Sequence, residues 1–312
     1  MSKILISGGT GFIGSHLIPK LVEREHDVWS LERYVTGRYS ESKNIKTVFG
    51  DLRSHFAVRN IIRQVQPDFV IHLAAISAVS YSYEHPNEVM DTNLVGTINL
   101  AESCLREVPN FKQFLFASTS ETYGNQTEIP IKETATLYPN SPYAVAKTAA
   151  TMYLEYMRDA YNFPITLCTP FNTYGRIKNR HFVTERILTQ MLEGAKELRL
   201  GDPDPVRDLV FRDDHLNAYL TMLKNVDAVG EKVNFCTGKG YSIAELVSHC
   251  AEATGWSGEV VWYTIPKRPL DIDVLIGDNT KARSLGWTPK YDLNAGLKKT
   301  IGLWKKKLGT QI

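Results

Sequence analysis

The sequence predicts an α/β protein built on a doubly wound parallel sheet. Apolar strand patterns alternate with amphipathic helix patterns from the N-terminus to about residue 170, and this alternation is typical of right-handed βαβ units. A glycine-rich turn joins the first strand to the first helix, as in sheets that bind a ligand at this edge. We predict a first domain over residues 1–168, rejoined by residues 225–250, and a smaller α/β domain over residues 169–312.

Composition indicates an ordinary globular protein without a strongly charged partner. The chain has 312 residues, of which 43% are hydrophobic and 22% charged, and its formal net charge is +2. This balance gives no sign of a nucleic-acid or membrane-surface partner. No run of about 18 apolar residues is present, so a membrane-spanning helix is not expected. The first residues lead directly into a strand, which leaves no room for a signal peptide and predicts a cytoplasmic protein.

Cysteine spacing argues against a metal centre or a disulfide framework. The four cysteines are scattered, without a Cys-x-x-Cys pair or a histidine at ligand spacing: Cys104, Cys168, Cys236 and Cys250. We interpret them as reduced thiols of the core, and no metal ligand is predicted.

The first element is a short buried strand over Lys3 to Ser7, followed by a turn with glycines spaced three residues apart. The early glycines permit a tight bend and a close approach to a pyrophosphate, and the last lets the following helix pack on the sheet. The helix N-terminus then faces the phosphates with its unpaired amides and positive dipole end. The pattern predicts a Rossmann-like dinucleotide site whose contacts come from Gly8, Thr10, Gly11, Phe12, Ile13 and Gly14.

The end of the second strand bears on the choice of cofactor. This strand begins at Asp27 and ends at Glu32, about 20 residues beyond the glycines, where an acid accepts hydrogen bonds from the adenosine ribose and repels the extra phosphate of NADP. Arg33 follows immediately and argues the other way, because an arginine at this turn holds that phosphate. We therefore predict NAD, with NADP as the alternative.

The third strand brings an acid to the same edge of the sheet. It precedes Asp51 and Leu52, and the carboxylate of Asp51 has two interpretations. It either accepts a hydrogen bond from the adenine amine or caps the helix that follows.

The fourth strand, Phe69 to His72, closes in small residues that let backbone lie against the cofactor, namely Leu73, Ala74 and Ala75. We interpret His72 as a packed residue rather than a catalyst. An amphipathic helix is predicted over residues 92–107, and Asn93 near its start is a further cofactor candidate.

A tyrosine and a lysine four residues apart form the predicted catalytic pair. Tyr143 and Lys147 follow a helix start marked by Ser141 and Pro142, so they lie on one helix face, one turn apart. A phenol normally titrates near pH 10, and an ammonium group one turn away favours the phenolate. Tyr143 is therefore a candidate proton shuttle for a hydroxyl that is oxidised to a ketone. The alternative is a core tyrosine beside a solvated lysine.

These residues resemble the extended short-chain dehydrogenase/reductases that modify nucleotide sugars. The resemblance covers the N-terminal half, in the family's order and spacing, through the glycine turn, the Asp51–Leu52 and His72–Ala75 stretches, Thr119, Tyr143 and Lys147. A narrower resemblance, to the GDP-mannose 4,6-dehydratases, extends it over nearly the whole chain. It is carried by residues 117–121, Asn172 with Phe182 to Thr184, residues 200–208 and residues 268–282.

Two positions depart from the dehydratase pattern. Glu32 and Arg33 stand where that family has paired arginines for NADP, and the stretch after Asn172 reads Thr173-Tyr174-Gly175, the commoner wording of epimerases and other dehydratases. Both departures leave the cofactor and the sugar open.

The resemblance implies a redox-neutral reaction on a nucleotide-linked hexose. Tyr143 would take the proton of the sugar C4 hydroxyl, Thr119 would hold that hydroxyl, and hydride would pass from C4 to the cofactor. Glu121 would remove the C5 proton and help water leave from C6, giving a 4-keto-6-deoxy sugar. A nucleotide-sugar 4-epimerase acting on a UDP- or GDP-hexose is the alternative, and epimerisation at C4 needs no C5 base. For Glu121 itself, the other interpretation is a surface carboxylate in a polar turn. A non-catalytic dinucleotide sensor is a third interpretation.

The resemblance also implies a substrate site and a quaternary structure. The nucleotide-diphosphate sugar is expected to contact Ser82, Asn172, Phe182, Val183, Arg207 and Arg268. By analogy, two helices, over residues 93–107 and 142–160, would pair two subunits into a homodimer. The apolar surface for that contact is expected from Tyr153, Tyr156 and Met157.

Overall fold

The computed structural model describes residues 1–34, 45–177 and 179–309. The chain forms two compact units, each assembled from separate stretches. Unit 1 contains Met1–Thr122, Ser141–Thr169 and Leu216–Val233, and unit 2 contains Tyr123–Asn140, Pro170–His215 and Asn234–Ile312. The boundary expected at residue 168 therefore lies beside the break after Thr169. The returning stretch differs from the expected residues 225–250, because the chain re-enters unit 1 at Leu216 and leaves it after Val233.

A seven-stranded parallel sheet forms the centre of unit 1, which confirms the predicted fold class. Numbered in chain order, its strands are β1 Lys3–Ser7, β2 Asp27–Glu32, β3 Ile45–Phe49, β4 Phe69–His72, β5 Gln113–Ala117, β6 Ile165–Pro170 and β10 Lys232–Phe235. Their order across the sheet is β10-β6-β5-β4-β1-β2-β3. Because the order runs outward from β1 in both directions, the sheet changes winding direction between β1 and β4, where sheets of this type bind their ligands.

Helices that flank this sheet close the core of unit 1. They are α1 Gly14–Val22, α2 His55–Val65, α3 Val79–Glu84, α4 Pro86–Met90, α5 Gly96–Glu107 and α6 Pro142–Tyr161, with most of α8 Arg212–Met222. The strands are nearly continuous apolar runs because both of their faces are covered. Leu5, Val70 and Phe114 from three strands are fully buried and pack with Leu100 of α5 and Leu154 of α6.

The helix predicted over residues 92–107 begins differently from its prediction. Residues Asp91–Val95 form a π-helical turn, and the α-helix starts only at Gly96. The Asn93 side chain bonds both backbone groups of Ile76, and Thr97 Oγ1 donates to Asn93 O at 2.7 Å. The side chain and the carbonyl oxygen of Asn93 thus make contacts that a regular α-helix does not require. π-Turns of this kind occur mostly at functional sites.

Unit 2 contains the remaining numbered elements. They are β7 Asn172–Tyr174, α7 Val183–Leu192, β8 Glu197–Arg199, β9 Val206–Phe211, β11 Gly240–Ser242, α9 Ile243–Thr254, β12 Glu259–Val261, β13 Val274–Leu275, α10 Thr280–Ser284 and α11 Leu293–Gly309. Strand β9 is the central one and pairs with β7, β11 and β13, whereas β8 pairs with β12. The start of helix α9 is fixed locally by a capping box between Ser242 and Glu245. A buried cluster that includes Leu188, Leu209, Leu246 and Leu297 joins α7, α9 and α11 to β9.

Candidate active site

The predicted catalytic pair lies at the start of α6 in unit 1. Ser141 caps the helix by accepting a backbone hydrogen bond at 3.1 Å, and Pro142 occupies its first turn, where no donor is needed. Tyr143 and Lys147 are both buried, with exposed fractions of 7% and 2%. Lys147 Nζ donates to Ala117 O at 2.8 Å, which fixes the helix against the end of β5.

Lys147 is less strongly charged than its predicted role assumes. Its Nζ lies 4.6 Å from the centroid of the Phe116 ring and makes no ion pair among the described residues. Burial lowers the pKa of Lys147 to about 7, because the ammonium form loses its hydration. Both protonation states are therefore populated at neutral pH, so Lys147 is itself able to exchange a proton. The alternative of a solvated lysine is wrong, since the side chain is buried.

Thr119 and Glu121 stand just beyond the carboxyl end of β5. Thr119 Oγ1 accepts a hydrogen bond from Glu121 N at 3.3 Å, within a 3-10 turn over Ser120–Thr122. Glu121 is 8% exposed, and its Oε2 atom is buried without a hydrogen-bond partner in the described part of the chain. The interpretation of Glu121 as a surface carboxylate is therefore wrong. A buried carboxylate oxygen without a partner costs free energy, and such groups are typical of functional sites.

The glycine turn between β1 and α1 is packed so closely that side chains at Gly8 and Gly14 would meet the backbone. Gly8 has φ of +75°, and a Cβ atom there would lie 2.7 Å from Ala74 N. A Cβ atom at Gly14 would lie 2.3 Å from Gly8 O, and Gly11 N donates to that oxygen at 3.0 Å. Ile13 precedes α1 without a side-chain cap. The turn, in which Thr10 and Phe12 also lie, thus has the close backbone packing and uncapped helix start of an anion site.

Glu32 and Arg33 are the two residues predicted to bear on the choice between NAD and NADP, and they make different contacts. Glu32 ends β2, is buried, and accepts a hydrogen bond from Ser30 Oγ at 3.2 Å. The Arg33 guanidinium lies over the Tyr34 ring, 4.6 Å from its centroid.

Asp51 does not cap the helix that follows it. Arg53 forms a salt bridge with it at 2.6 Å, and this contact lowers the pKa of the Asp51 carboxyl. Ser54 caps α2 instead, by accepting a hydrogen bond from Ala57 N, so the cap interpretation of Asp51 is wrong. Leu52 beside it is buried in the core.

Asn93 supports the backbone that follows β4. Its Oδ1 accepts from Ile76 N at 2.8 Å and its Nδ2 donates to Ile76 O at 3.0 Å. The amide is thereby engaged at both ends, close in sequence to the stretch Leu73, Ala74 and Ala75. Its contact with the cofactor stays a prediction. Ser82 is fully buried, and its hydroxyl donates to Val79 O at 2.6 Å. Its contact with substrate stays a prediction.

His72 is a packed residue, as the sequence indicates. Its ring nitrogens lie 2.5 Å from Ser7 Oγ and 2.9 Å from Thr97 Oγ1. Burial and the positive charge of Lys147 lower its pKa to about 3, so the ring is neutral. A neutral imidazole between two hydroxyls links β1, β4 and α5.

The other predicted substrate residues lie in unit 2. Asn172 begins β7 opposite Leu209 of β9, and its Oδ1 atom is buried without a partner in the part of the chain described. Phe182 immediately precedes α7, without a side-chain cap, and Val183 is the first residue of the helix. The predicted site residues therefore form two groups, one in each unit.

The two predicted phosphate-binding arginines differ in their contacts. Arg207 is 8% exposed, and its Nη2 lies 3.3 Å from Asp271 Oδ1. Arg268 is half-buried and has no salt bridge to a carboxylate within the described ranges. Arg268 therefore remains the cation with more of its charge uncompensated.

Comparison with known proteins identifies the family. The family model described as GDP-mannose 4,6 dehydratase matches residues 5–300. The chain belongs to this family of nucleotide-sugar epimerases and dehydratases.

Individual relatives within the family have different activities. The structure of UDP-glucose 4-epimerase from Thermotoga maritima with UDP-glucose matches with a TM-score of 0.90 and 32% identity, covering 98% of this chain and 99% of that chain. The Thermus thermophilus UDP-glucose 4-epimerase complex with NAD matches with a TM-score of 0.87 and 30% identity, covering 97% and 98%. The GDP-mannose 4,6-dehydratase of Vibrio cholerae is 30% identical, covering 92% of this chain and 90% of that protein.

Arg186 is a further cation of unit 2 that is not among the residues predicted from the sequence of this epimerase/dehydratase chain. This residue lies on α7, and its Nε donates to Arg180 O at 2.9 Å. Burial and the positive charge of Arg268 lower the pKa of Arg186, so two guanidinium groups lie close together in unit 2. The available signal was its place three residues after Val183, but an isolated arginine on a helix is usually a surface charge.

Membrane-spanning helices and clusters of metal ligands are both absent from the described residues. No helix there combines the length and the hydropathy needed to cross a membrane. No group of three or more His, Cys, Asp or Glu side chains there is arranged to hold a metal ion.

Proposed function

We propose that this family member is an NAD-dependent nucleotide-sugar 4-epimerase acting on a UDP-hexose. The observation that carries the proposal is the buried pair of Tyr143 and Lys147, in which the Lys147 ammonium group donates to Ala117 O, two residues before Thr119. A tyrosine and a lysine of this kind, with a threonine to hold the hydroxyl, are sufficient to move a proton to and from C4–OH. The similarity of the whole chain to two UDP-glucose 4-epimerases supports epimerisation over the dehydration favoured by the sequence motifs.

The residues present fit a dinucleotide. The turn from Gly8 to Gly14 excludes side chains and ends at a helix N-terminus without a side-chain cap, as a pyrophosphate requires. Glu32 stands at the end of β2 for the adenosine ribose, which favours NAD over NADP. The NAD-bound neighbour supports the same choice. When bound, the nicotinamide accepts a hydride from the sugar and returns it.

The chain's own side chains then perform the acid–base steps. The Tyr143 phenolate takes the proton of the C4 hydroxyl while the C4–H bond breaks, and the C4 oxygen becomes a carbonyl. Thr119 holds that oxygen in line for the transfer. The proton returns from Tyr143 to oxygen when hydride reaches the opposite face of C4. Bonds to hydrogen are broken and remade in equal number, so the sugar is epimerised without net oxidation.

The buried Lys147 adjusts the protonation of this system. Its positive form stabilises the Tyr143 phenolate, and its pKa of about 7 lets it release a proton near neutral pH. A general acid or base is most effective when its pKa is close to the working pH.

Unit 2 supplies the residues for the nucleotide. We assign the diphosphate to Arg186 and Arg268, whose mutual repulsion an anion would relieve, with Arg207 and Asn172 as further contacts. Phe182 and Val183 are assigned to the base.

Dehydration of GDP-mannose is a second candidate, favoured by one observation. Epimerisation at C4 needs no base at C5, yet Glu121 is buried with a carboxylate oxygen that has no partner among the described residues. A base in that position would remove the C5 proton of a 4-keto sugar and assist the loss of water from C6. The Vibrio cholerae dehydratase supports this candidate.

One set of three parallel incubations tests both candidate reactions. The pure protein is given NAD with UDP-glucose, UDP-galactose or GDP-mannose in separate reactions, which are analysed by mass spectrometry and proton NMR. We expect UDP-glucose and UDP-galactose to interconvert at constant mass, without net formation of NADH. Loss of one water from GDP-mannose would contradict epimerisation and establish dehydration. The absence of any product in all three reactions would contradict both.

A further inference from the structure

Glu185 is a buried acid on α7 that none of the proposed steps uses. It is 1% exposed, and its Oε1 atom accepts hydrogen bonds from Gly175 N at 2.9 Å and Arg176 N at 3.0 Å. The Arg176 guanidinium lies 3.8 Å from the same oxygen. One carboxylate oxygen therefore binds two consecutive backbone amides and faces one cation, all within unit 2.

Keeping a carboxyl group in this place is unfavourable unless the contacts it makes are needed. Burial raises the pKa of Glu185, which Arg176 and the two amides partly oppose. Its second oxygen, Oε2, is buried and has no hydrogen-bond partner in the described residues. A buried polar atom without a partner costs free energy, so an acid is not expected at this position unless its other contacts are needed.

The two amides belong to a turn whose left-handed backbone and close packing favour glycine at residue 175. Gly175 has φ of +111°, and a Cβ atom there would lie 3.0 Å from the Phe211 ring. Arg176 reaches back to Thr173 O with Nη1 at 2.6 Å, and its guanidinium lies 3.9 Å from the centroid of the Phe182 ring. Glu185 thus connects the chain that follows β7 with the start of α7.

This turn lies between the residues assigned to the nucleotide. Asn172 precedes it, and Phe182 and Val183 follow it at the first turn of α7, which also contains Glu185. We call Asn172 to Arg176 together with Phe182 and Val183 the substrate segment. Loss of the Glu185 contacts would release Gly175 and Arg176, and with them the ring contact between Arg176 and Phe182.

We propose that Glu185 is a positioning residue that holds the substrate segment in the conformation that binds the nucleotide sugar. It touches neither the reacting carbon nor the cofactor in this scheme; it acts through Gly175, Arg176 and Phe182. The inference rests on the proposed function for the identity of the ligand, but the restraint on the segment is measurable without any ligand.

Kinetics of three variants test the effect on substrate. Glu185→Ala removes the acceptor of both amides, so we expect KM for the UDP-hexose to rise about tenfold while kcat changes less than about threefold. Glu185→Gln keeps an acceptor oxygen and should restore KM to within about threefold of the parent. Arg176→Met leaves the buried acid in place and removes the contacts to Thr173 and Phe182; it should raise KM in the same direction.

Asp214 provides a matched control. It is a fully buried acid of unit 2 that accepts two consecutive backbone amides, Lys290 N and Tyr291 N, each at 3.0 Å. Asp214→Ala removes the same number of contacts from a different place. We expect it to lower thermal stability as Glu185→Ala does but to leave KM unchanged. Equal KM effects in both variants would reduce Glu185 to a general stabilising residue and overturn the proposal.

Hydrogen exchange followed by mass spectrometry completes the test without substrate. In Glu185→Ala, peptides that contain Gly175, Arg176 and Phe182 should exchange at least about tenfold faster, with peptides of the glycine turn unchanged. Glu185→Gln serves if the alanine variant does not fold, and it should exchange like the parent. The proposed restraint would be contradicted by unchanged exchange in Glu185→Ala, or by faster exchange in both Glu185→Ala and Glu185→Gln. If the parent turns over no nucleotide sugar, the proposed function fails, while the exchange result still decides the role of Glu185.

Discussion

At the scale of single residues, Lys147 combines deep burial with a charge that its role requires. Its pKa is lowered to about 7 by burial, whereas a lysine in the unfolded chain titrates near pH 10.4. Between these values the unfolded state binds more protons than the folded state, so stability rises with pH across this window. Below pH 7 the full cost of burying the ammonium group is present. The site therefore retains a charge at the expense of stability.

Replacement of this lysine should stabilise the protein while inactivating it. Lys147→Met removes the charge and keeps the length of the side chain, so we expect the free energy of unfolding at pH 6.5 to increase by about 2 kcal/mol after deduction of the lost hydrogen bond. The gain should shrink by pH 9.5, and turnover should fall at least about 100-fold. Urea denaturation at the two pH values measures the effect.

Lys46 offers the control for that experiment, since its side chain is 56% exposed. Lys46→Met should change the free energy of unfolding little and equally at both pH values. A stability difference for Lys147→Met that is the same at pH 6.5 and pH 9.5 would contradict the link between burial and charge.

Glu121 is the residue that separates the two candidate reactions. Because epimerisation at C4 requires no C5 base, we expect Glu121→Gln to retain UDP-hexose epimerisation within about tenfold. If the protein dehydrates GDP-mannose instead, the same variant should lose water elimination by at least about 100-fold. Product analysis by NMR distinguishes the results, and Glu128→Gln, at an exposed position nearby, is the matched control.

At the scale of elements, the glycine turn and α1 are fixed by local backbone packing. A Cβ atom at Gly14 would meet Gly8 O at 2.3 Å and Gly9 Cα at 2.7 Å, both of them backbone atoms that have little room to move. We expect Gly14→Ala to weaken NADH binding at least about tenfold, as measured by fluorescence titration. Gly302→Ala is the control, because nothing lies within 4 Å of a Cβ atom at Gly302 of α11.

The control should also behave differently in stability. An alanine in a helix interior is more favourable than glycine by roughly 0.8–1.0 kcal/mol, so Gly302→Ala should unfold at a higher temperature than the parent. It should bind NADH normally. Equal NADH affinity in the Gly14→Ala variant would show that the turn does not form the cofactor site.

Elements also show what the sequence could and could not predict. The glycine turn and the one-turn spacing of Tyr143 and Lys147 were predictable because residues close in sequence determine them. The π-turn at Asp91–Val95 was not, since it depends on contacts between Asn93 and Ile76. The lowered pKa of Lys147 was equally out of reach, because burial by the surrounding core, and not a neighbour in the sequence, causes it.

Side-chain direction along α6 was predicted only in part. Met157 was expected on a subunit surface, but it is fully buried in the core of unit 1, whereas Tyr156 is 50% exposed. Met152, which the sequence analysis did not select, is 61% exposed. Helical periodicity defines which residues share a face, but the sequence alone did not identify the face that packs on the sheet.

At the scale of the whole molecule, the exposed apolar side chains of α6 make a homodimer our expectation. Light scattering after size exclusion should give about twice the chain mass of 35.2 kDa. Met152→Glu places a charge on that face and should shift the protein toward the monomer, because an unpaired charge in an interface is unfavourable. Val226→Glu, at an 80% exposed position elsewhere in unit 1, should not. A monomeric parent would contradict the expectation.

The partition of the chain also limits prediction at this scale. The chain passes from one unit to the other after Thr122, Asn140, Thr169, His215 and Val233. These crossings fall inside stretches of continuous composition, and one falls within α8. A boundary predicted from composition or linkers therefore coincides with only one of these crossings, the one near residue 168. The rest follow from tertiary packing.

Transfer of the hydrogen at C4 tests the central claim most directly. UDP-glucose carrying deuterium at C4 is incubated in ordinary water with NAD and the protein, and the product is examined by NMR and mass spectrometry. We expect UDP-galactose with the deuterium still at C4, because hydride leaves and returns without meeting solvent, and we expect no conversion by Tyr143→Phe. Deuterium lost to water, or conversion that survives in Tyr143→Phe, would contradict oxidation at C4 by this site.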